Sequence, residues 1–327
     1  MTVTANGGGR DNPLLPALVL TAGLATRLRP LSSVRAKGAL PVAGEPLVRR
    51  ILTWLRANGV TDAVLNLHHL PHTLTAAVGD GSDLGVRVRY SWEHPVLGSA
   101  GGPKRAVPLL AAPQFLIVNG DTLTDLELAP VVASHRDSDA LVTMAVVPNT
   151  EPHKYSGLAV DGDGRVTGVV PRGSTQPSHH FFGVQVVDVE ALSRVPDGVP
   201  YETVAQLYPA LIAERPGSVR AFHATAEYHD IGTPSDYLST TLRLAEREGL
   251  RTSVGERVRI HAGARVERSI LWDDVVIEDG TMLKECIVTD GVRVPADTSW
   301  HGVTMRVAGG ELAPGERRIG ELAIASI

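Results

Sequence analysis

The chain has 327 residues, of which 43% are hydrophobic and 20% are charged, and its formal net charge at neutral pH is −5. A chain of this size and composition forms one large domain and a smaller one, and its negative charge excludes a strongly basic, nucleic-acid-binding surface. A single cysteine, Cys286, excludes an internal disulfide and a cysteine-based zinc cluster, and it favours a reducing, cytoplasmic environment. No apolar run reaches the length of a membrane span, and the polar residues 1–13, predicted to be disordered, do not resemble a signal peptide.

The first predicted element is an apolar run, Ala17–Leu20, which is short enough for a buried parallel strand. It leads into the loop TAGLATRL, whose small residues let backbone N–H groups approach a bound group closely. Arg27 lies in this loop, and Lys37 follows in a second loop. A small-residue loop with two cations is typical of a phosphate site, although many glycine loops are plain turns and this one lacks the GxxxxGK[ST] and GxGxxG patterns.

Strands and helices then alternate along the chain. Apolar residues with helical spacing predict a helix over residues 45–58, and a second helix begins at Pro71. Further apolar runs predict strands at 62–67, 86–91, 115–118 and 140–147. Such βαβ units predict an α/β domain with a Rossmann-like, mainly parallel sheet, whose ligands bind beyond the carboxyl ends of the strands.

The pattern changes after residue 157. Residues 158–166 form a predicted hairpin around a Gly-Asp-Gly turn, and a strand over 180–188 follows it. Helices are predicted over 201–214 and 234–248. We interpret the inserted antiparallel part as a lid or wall for a second substrate, and we place this whole domain at residues 14–249.

A repeat of 17 residues begins near residue 254. Pairs of apolar residues recur at this spacing, at 258 and 260, 275 and 277, and 292 and 294. Short apolar segments at a fixed period predict a β-solenoid of about three coils over residues 250–305, followed by a C-terminal tail over 306–327. A small antiparallel β-domain is the alternative.

Two aspartates stand where ligands of such a sheet would bind. Asp121 directly follows the apolar run 115–118 and the pair Asn119-Gly120, whereas Asp230 stands far later in the chain. A carboxylate at the carboxyl end of a strand suits Mg²⁺, a hard ion that prefers oxygen ligands and phosphates. Each aspartate also fits an alternative role as the N-cap of a following helix.

These features together resemble the signature of the sugar-1-phosphate nucleotidyltransferases, the family of nucleotide-sugar pyrophosphorylases. The match runs through residues 22–32, Lys37 and residues 40–46, where this chain reads AGLATRLRPLS, K and LPVAGEP. One position departs from the family pattern, because Ala25 replaces the second glycine of the loop and adds a methyl group where the triphosphate should pass. The resemblance implies that Asp121 and Asp230, in the NGD and DIGTP motifs, bind Mg²⁺ as the cofactor.

The resemblance also implies catalytic and nucleotide-binding residues. Arg27, Lys37 and Asp121 take the catalytic positions. The segment EHPVLGSAGG, residues 93–102, resembles the family segment that holds the nucleobase and ribose, although a glycine-rich helix N-terminus is its plain alternative. The implied nucleotide-binding residues are Ala22, Gly23, Leu24, Ala25, Thr26, Glu93, Gly98, Ser99, Ala100 and Gly120.

The resemblance is weaker on the sugar side. Gly157 matches the family glycine that lets the sugar approach the backbone, and Arg172 stands where the family has the lysine that binds the sugar phosphate. Arginine prefers forked, bidentate contacts, so this exchange is not neutral. Pro171 replaces the glutamate that contacts the sugar and offers no group to hydrogen-bond a hydroxyl. Gly157 and Arg172 are therefore the predicted sugar-phosphate-binding residues, and the sugar stays open.

The resemblance implies transfer of a nucleotidyl group from a nucleoside triphosphate to a sugar 1-phosphate. The Glu-x-Pro form of segment 93–102 looks more like that of guanylyl- and some uridylyltransferases, and we favour GTP with mannose 1-phosphate. Uridylyl or thymidylyl transfer to another sugar 1-phosphate is the alternative. The C-terminal repeat resembles the left-handed β-helix that follows the catalytic domain in many nucleotidyltransferases, and we interpret its coils as structural or as the interface of a homo-oligomer. No nucleic acid or membrane partner is expected.

Two other classes of protein stay open. A catalytically silent relative that binds a nucleotide-sugar and regulates a partner enzyme is favoured by Ala25 and the lost Glu-Lys-Pro motif, and it is opposed by the retained cations and aspartates. A retaining glycosyltransferase has a similar sheet but holds its metal with a close DxD pair. No such pair follows an apolar strand in this chain, since Asp161-Gly162-Asp163 lies in the predicted hairpin turn.

Overall fold

The computed structural model describes residues 14–309 and 311–327, and the predicted disordered segment 1–13 lies outside the described residues. The α-helices of the described part, α1 to α6, are Leu47–Ala57, Pro71–Val78, Gly98–Leu110, Leu128–Arg136, Tyr208–Glu214 and Pro234–Arg247. The strands as far as residue 230, β1 to β13, are Ala17–Leu20, Pro41–Val42, Glu45–Pro46, Asp62–Leu67, Arg87–Trp92, Gln114–Asn119, Thr122–Thr124, Val142–Pro148, Gly157–Val160, Val166–Val170, His179–Asp188, Val219–His223 and Tyr228–Asp230. Short 3₁₀ segments are Thr26–Leu28, Leu31–Ser33, Lys37–Ala39, Ser82–Leu84 and Val189–Arg194, and Thr203–Leu207 forms a π-helical turn.

A nine-stranded sheet lies at the centre of the first domain, with the strand order β10-β9-β11-β6-β1-β4-β5 and with β8 and β12 continuing from β11. β1 pairs in parallel with β4 and β6, and β4 pairs in parallel with β5. β11 runs antiparallel to β6 and β8. Leu18 and Val19, on opposite faces of β1, are both fully buried, because helices cover both sides of the sheet. This arrangement confirms the predicted α/β domain with a mainly parallel sheet.

Helices pack on both faces of this sheet. α1, α2, α4 and α6 contribute residues such as Leu55 and Tyr237 to one apolar cluster, and α3 and α5 contribute Ala106 and Leu211 to the other. α1 shows why these helices form, since its apolar residues at 47, 48, 51, 52 and 55 lie on one face and are all buried. Burial of each such large side chain stabilises the fold by roughly 1.5–3 kcal/mol.

Gly120 brings the end of β6 against the end of β1. Its N–H donates to the carbonyl oxygen of Leu20 at 3.1 Å, and a Cβ atom added to Gly120 would lie 2.3 Å from that oxygen, so a side chain would force the strands apart. Asp121 follows directly and therefore lies beside the loop after β1. The antiparallel ribbon of β7 and β13 carries Asp230 to the same place, where the N–H of Ile231 donates to the carbonyl oxygen of Asp121 at 3.0 Å.

The inserted part has the predicted hairpin, since β9 and β10 pair antiparallel and β9 joins the sheet through β11. β11 carries an irregularity between Phe181 and Gln185. Residues 201–214, predicted as one helix, instead divide into an extended segment, the π-helical turn and α5. The first part is not helical because the backbone of Tyr201 forms hydrogen bonds with the start of α3.

The C-terminal domain is a short β-helix whose parallel strands repeat every 17 residues. Ile270 pairs with Ile287, and Val276 pairs with Arg293, so corresponding residues of successive coils are stacked. The inward side chains form a core of their own. Its strands, β14 to β25, are Ser253–Val254, Arg259–Ile260, Arg265–Glu267, Ile270–Leu271, Val276–Ile277, Met282–Lys284, Ile287–Val288, Arg293–Val294, Ser299–His301, Val303–Val307, Arg317–Ile319 and Leu322–Ser326.

The segment after residue 305 differs from the predicted tail. β25 pairs antiparallel with both β23 and β24, so the chain turns back and extends one sheet of the β-helix. Arg306 and Glu316 form a shielded ion pair at 2.5 Å between these strands. None of the helices in residues 14–309 and 311–327 has the length and apolar character needed to cross a membrane.

Candidate active site

A cleft of about 530 Å³ opens at the carboxyl ends of β1, β4 and β6. It is bounded by the loop after β1, the turn between β6 and β7, and the start of α3. The predicted residues that line it are Ala22, Gly23, Leu24, Ala25, Thr26, Arg27, Lys37, Glu93, Gly98, Ser99, Gly120 and Asp121. Residues that line it without having been predicted include Asn66, Asn119, Glu202 and Gly232.

A buried hydrogen-bond network forms the floor of the cleft. Asn66, near the end of β4, accepts hydrogen bonds from the N–H groups of Thr21 and Ala22 at 2.6 and 3.3 Å. Its amide nitrogen donates to Glu93 Oε1 at 2.7 Å, and the other oxygen of Glu93 accepts from the N–H of Leu97 at 2.8 Å. Glu93 is only 3% exposed, and both its oxygens are engaged within the chain. Its side chain therefore joins three elements of the cleft, and its role in nucleotide binding stays a prediction.

The loop after β1 contains one strained position and one open position. Ala25 has φ of 47° and ψ of 45°, a left-handed conformation that glycine enters freely and that costs an alanine about 1 kcal/mol or more. The Ser32 hydroxyl donates to the carbonyl oxygen of Ala25 at 2.9 Å and helps to hold it there. No atom lies within 4 Å of the place that a Cβ on Gly23 would take. The chain thus departs from the family glycine pattern at the strained position and keeps the glycine at the open one.

Two cations and two carboxylates meet beside this loop. The Arg27 guanidinium reaches towards the segment after β13, where a Cβ added to Gly232 would lie 3.5 Å from Arg27 Nη2. Lys37 Nζ lies 2.7 Å from Asp121 Oδ2. Burial and the neighbouring charge of Asp121 raise the pKa of the Asp230 carboxyl to about 6, and the charge of Lys37 opposes this rise. The ionised form of Asp230 is therefore disfavoured mainly because its carboxyl is buried, and secondly because Asp121 is near.

Asp121 and Asp230 fit a magnesium ion by the chemistry of their oxygens. Within residues 14–309 and 311–327 there is no group of three or more His, Cys, Asp or Glu side chains that could hold a metal. Mg²⁺ needs no such group, because it is commonly held by one or two carboxylates together with substrate phosphates. Burial first, and then the charge of Asp121, disfavour the ionised form of Asp230, and a bound divalent cation would offset both effects.

The start of α3 is covered by a strap, defined here as residues 199–203. The N–H of Ala100 donates to the carbonyl oxygen of Tyr201 at 2.8 Å. Glu202 accepts hydrogen bonds from the N–H of Ser99 at 3.1 Å and from its hydroxyl at 2.5 Å. The Glu202 carboxylate thus takes the place that an anion takes at a helix N-terminus. Ala100 is fully buried and its N–H is engaged by Tyr201, so its role in nucleotide binding stays a prediction.

The part of the chain predicted to bind the sugar has a smaller cavity of about 100 Å³, which Gly157 lines together with Tyr155 and His180. A Cβ added to Gly157 would lie 2.1 Å from Ser178 Oγ, so packing within the chain already requires a glycine here. The His180 ring packs between Tyr155 and Tyr228, with centroid distances of 4.1 and 5.2 Å. Burial, together with a nearby lysine, lowers the pKa of His180 to about 4, so this imidazole is neutral near pH 7.

Arg172, which is predicted to bind the sugar phosphate, and Lys154 lie in different settings. Arg172 is exposed on the turn after β10. Lys154 lies close to the carboxylates instead, since its Nζ is 3.3 Å from Asp236 Oδ1 and its charge acts to lower the pKa of Asp230. Sequence reasoning missed Lys154, and its position just before the segment of Gly157 was the signal that could have revealed it.

Comparison with known proteins identifies the family. A family model described as nucleotidyl transferase matches residues 16–247 of this chain, and one described as GlmU-like C-terminal hexapeptide matches residues 246–303. A mannose-1-phosphate guanylyltransferase from Mycobacterium tuberculosis is 30% identical over 292 residues, which are 86% of this chain and 81% of that protein. The chain belongs to the nucleotidyl transferase family. This nucleotidyltransferase is therefore an enzyme, as the sequence predicted, and its hexapeptide-type repeat agrees with the predicted left-handed β-helix.

Other relatives of the nucleotidyltransferase carry different names. An N-acetylmuramate alpha-1-phosphate uridylyltransferase from Neisseria meningitidis is 35% identical over 229 residues, which are 67% of this chain and 94% of that protein. The crystal structure of HddC from Yersinia pseudotuberculosis matches with a TM-score of 0.62 and 23% identity, covering 71% of this chain and 100% of that chain. At that identity the likeness shows the fold alone.

Proposed function

We propose that this nucleotidyltransferase joins a nucleoside triphosphate to a sugar 1-phosphate and releases pyrophosphate, with Mg²⁺ as cofactor and with GTP and mannose 1-phosphate as the favoured substrates. The observation that carries the proposal is the meeting of two cations, Arg27 and Lys37, with two carboxylates, Asp121 and Asp230, at the carboxyl end of the sheet. The relative from Mycobacterium tuberculosis supports guanylyl transfer to mannose 1-phosphate. The uridylyltransferase relative makes UTP the second candidate.

The reaction needs alignment and charge neutralisation rather than a base. A sugar-phosphate oxygen, already anionic near neutral pH, attacks the α-phosphorus, the bond from that phosphorus to the bridging oxygen breaks, and pyrophosphate leaves. Arg27 holds the β- and γ-phosphates, and Lys37 neutralises the α-phosphate as negative charge shifts there. Asp121 and Asp230 would hold Mg²⁺, which when bound would supply positive charge that neutralises the phosphates.

For the incoming sugar phosphate we propose Lys154 as the main cation, with Arg172 at the rim. Lys154 lies among the charges of the site, beside Asp236 and within electrostatic reach of Asp230. The turn that carries Arg172 is attached to the same segment, because the N–H of Gly173 donates to the carbonyl oxygen of Pro152 at 2.7 Å. The two cations can therefore act on one ligand, but only Lys154 is held close to the carboxylates.

Lys154→Met should raise the KM for the sugar 1-phosphate by about 10- to 100-fold, the equivalent of one charge-assisted hydrogen bond. Arg172→Met should raise it by at most about fivefold, because the Arg172 side chain is exposed. Initial rates of pyrophosphate release at saturating nucleoside triphosphate measure both values. A larger effect of Arg172→Met than of Lys154→Met would reverse the assignment.

The overall proposal is tested by pyrophosphate release from each common nucleoside triphosphate combined with mannose, glucose and N-acetylmuramate 1-phosphates, with Mg²⁺ and with a chelator. We expect the fastest Mg²⁺-dependent release from GTP with mannose 1-phosphate. Faster release from UTP would keep the reaction and replace the base. Tight binding of a nucleotide-sugar without release from any pair would instead identify a catalytically silent, regulatory relative.

A further inference from the structure

The β-helix is fastened to the loop that carries Lys37. Arg35, just before Lys37, extends onto the β-helix, where its Nε and Nη2 donate to the two oxygens of Asp290 at 2.7 and 2.6 Å. The same Nη2 also donates to Asp273 Oδ2 at 2.5 Å. The guanidinium carbon lies 5.3 Å from the centroid of the Trp272 ring. One side chain of the catalytic domain therefore contacts two successive coils.

This contact is partly shielded from solvent. The Arg35 side chain is 18% exposed, and the two aspartates are 27% and 30% exposed. Burial lowers the pKa of Arg35, but hydrogen bonds and charge interactions with both carboxylates outweigh it and raise the pKa overall. A bidentate arginine–carboxylate pair fixes orientation as well as distance, unlike the single-point contact that a lysine makes.

The segment that carries Lys37 makes further contacts at Pro41 and Gly44. Tyr237, fully buried on α6, donates its hydroxyl hydrogen to the carbonyl oxygen of Pro41. Trp272 Nε1 donates to that hydroxyl oxygen at 3.0 Å, and the N–H of Gly44 donates to Ser253 Oγ at 3.2 Å. Trp272 is itself part of the apolar cluster that the catalytic domain forms on one face of its sheet. The β-helix is thus packed into the catalytic domain at this loop.

We propose that Arg35 is a positioning residue for Lys37, and that the β-helix fixes the anchor loop, residues 35–44, through it. Lys37 begins a single 3₁₀ turn that has no side-chain cap, so the turn has little stability of its own. Its ammonium nevertheless lies at one place, 2.7 Å from Asp121. The catalytic role of Lys37 in this proposal rests on the proposed function. The dependence of the anchor loop on the β-helix is independent of the proposed function.

Two aspartates of the β-helix provide a matched comparison. Asp290→Asn removes the bidentate charge partner of Arg35. Asp274→Asn removes a carboxylate that pairs with Arg257, at 2.7 Å, inside the β-helix itself. Both changes neutralise one aspartate of the same domain, but only the first removes a hydrogen-bond partner of Arg35. Arg35→Ala is the reciprocal variant on the catalytic side.

Hydrogen exchange of the anchor-loop amides tests the structural part without any substrate. The amide of Leu40 is the best single probe, because it donates to the carbonyl oxygen of Lys37 within the turn. Exchange of the anchor loop should be about 10-fold faster in Asp290→Asn and Arg35→Ala, and unchanged in Asp274→Asn. Unchanged exchange in both Asp290→Asn and Arg35→Ala would overturn the proposal.

Steady-state kinetics tests the functional part. In Asp290→Asn, kcat should fall about 10-fold, because a small displacement of a catalytic group costs up to about 100-fold in rate, while both KM values stay within about twofold. Asp274→Asn should change neither. An equal loss of kcat in Asp274→Asn, or a loss confined to KM, would contradict positioning of Lys37. If the wild type releases no pyrophosphate, the proposed function fails, and the exchange experiment still decides whether the β-helix fixes the loop.

Discussion

Replacement of Asp121 or of Asp230 by Asn should abolish nucleotidyl transfer while leaving the fold intact. Asp121→Asn and Asp230→Asn each remove a proposed carboxylate ligand of Mg²⁺, and the charge stabilisation that a metal gives to a phosphoryl transition state is worth several kcal/mol. Pyrophosphate release should therefore fall by at least about 1000-fold at saturating substrates and Mg²⁺. Near-normal release by either variant would refute the metal assignment.

The same two variants should differ in stability, which separates loss of a ligand from loss of structure. Asp121 is paired with Lys37, whereas burial and the charge of Asp121 raise the pKa of Asp230 to about 6. A raised carboxyl pKa means that the folded chain prefers the neutral form, so ionised Asp230 lowers the free energy of unfolding above pH 6. That loss is recovered as the pH falls towards the unfolded-state value near 4.

In metal-free buffer at pH 7, Asp230→Asn should accordingly be more stable than the wild type by on the order of 1 kcal/mol. The difference should shrink as the pH falls from about 6 to about 4. Asp121→Asn leaves Lys37 without its partner and should gain no stability. Denaturant unfolding across this pH range measures both variants, and a destabilised Asp230→Asn at pH 7 would show that its charge is already neutralised within the chain.

The parts of the cleft that could be predicted from sequence are those encoded by short, contiguous segments. The loop of Gly23 and the turn of Asp121 each follow an apolar strand directly, and parallel strands end at the same edge of a sheet, so the two had to be neighbours. Asp230 depends on the pairing of β7 with β13, a long-range contact. The family resemblance, not the local pattern, brought it into the predicted site.

The residues that sequence reasoning missed reach the site through tertiary contacts. Glu202 meets Ser99 across 103 positions of the chain, and Lys154 meets Asp236 across 82 positions. No local periodicity encodes such contacts. The importance of Ala25 was predicted for the space that its methyl group takes, whereas the structure adds a conformational cost from its left-handed backbone.

The β-helix likewise has parts that could be predicted from local sequence and parts that could not. Its coils were predictable because every coil repeats the same local pairing, 17 residues apart. β24 and β25 break that period, since β25 pairs antiparallel with the last parallel strand and β24 pairs antiparallel with β25, and the predicted boundary near residue 305 therefore fell inside the last sheet. The anchor of Arg35 on Asp290 was equally invisible, because the two lie 255 positions apart.

Lys37→Met should lower kcat by about 100- to 1000-fold, the loss typical of removing one preorganised group that stabilises transition-state charge. Methionine keeps most of the apolar stem of lysine and removes the ammonium, so the nucleotide Kd should change by less than about 10-fold while the chemical step slows. Pre-steady-state pyrophosphate release and nucleotide titration measure the two quantities separately. Lys284→Met, at an exposed lysine of the β-helix, is the control and should change neither.

A double variant, Lys37→Met with Asp290→Asn, tests whether the β-helix acts on catalysis through Lys37. If Asp290→Asn slows the reaction by displacing the Lys37 ammonium, it has nothing left to displace once that ammonium is gone. The loss of kcat in Lys37→Met combined with Asp290→Asn should therefore equal the loss in Lys37→Met alone, within about twofold. Multiplicative losses would mean that the β-helix acts on the cleft through some other group, because independent sites add their free energies.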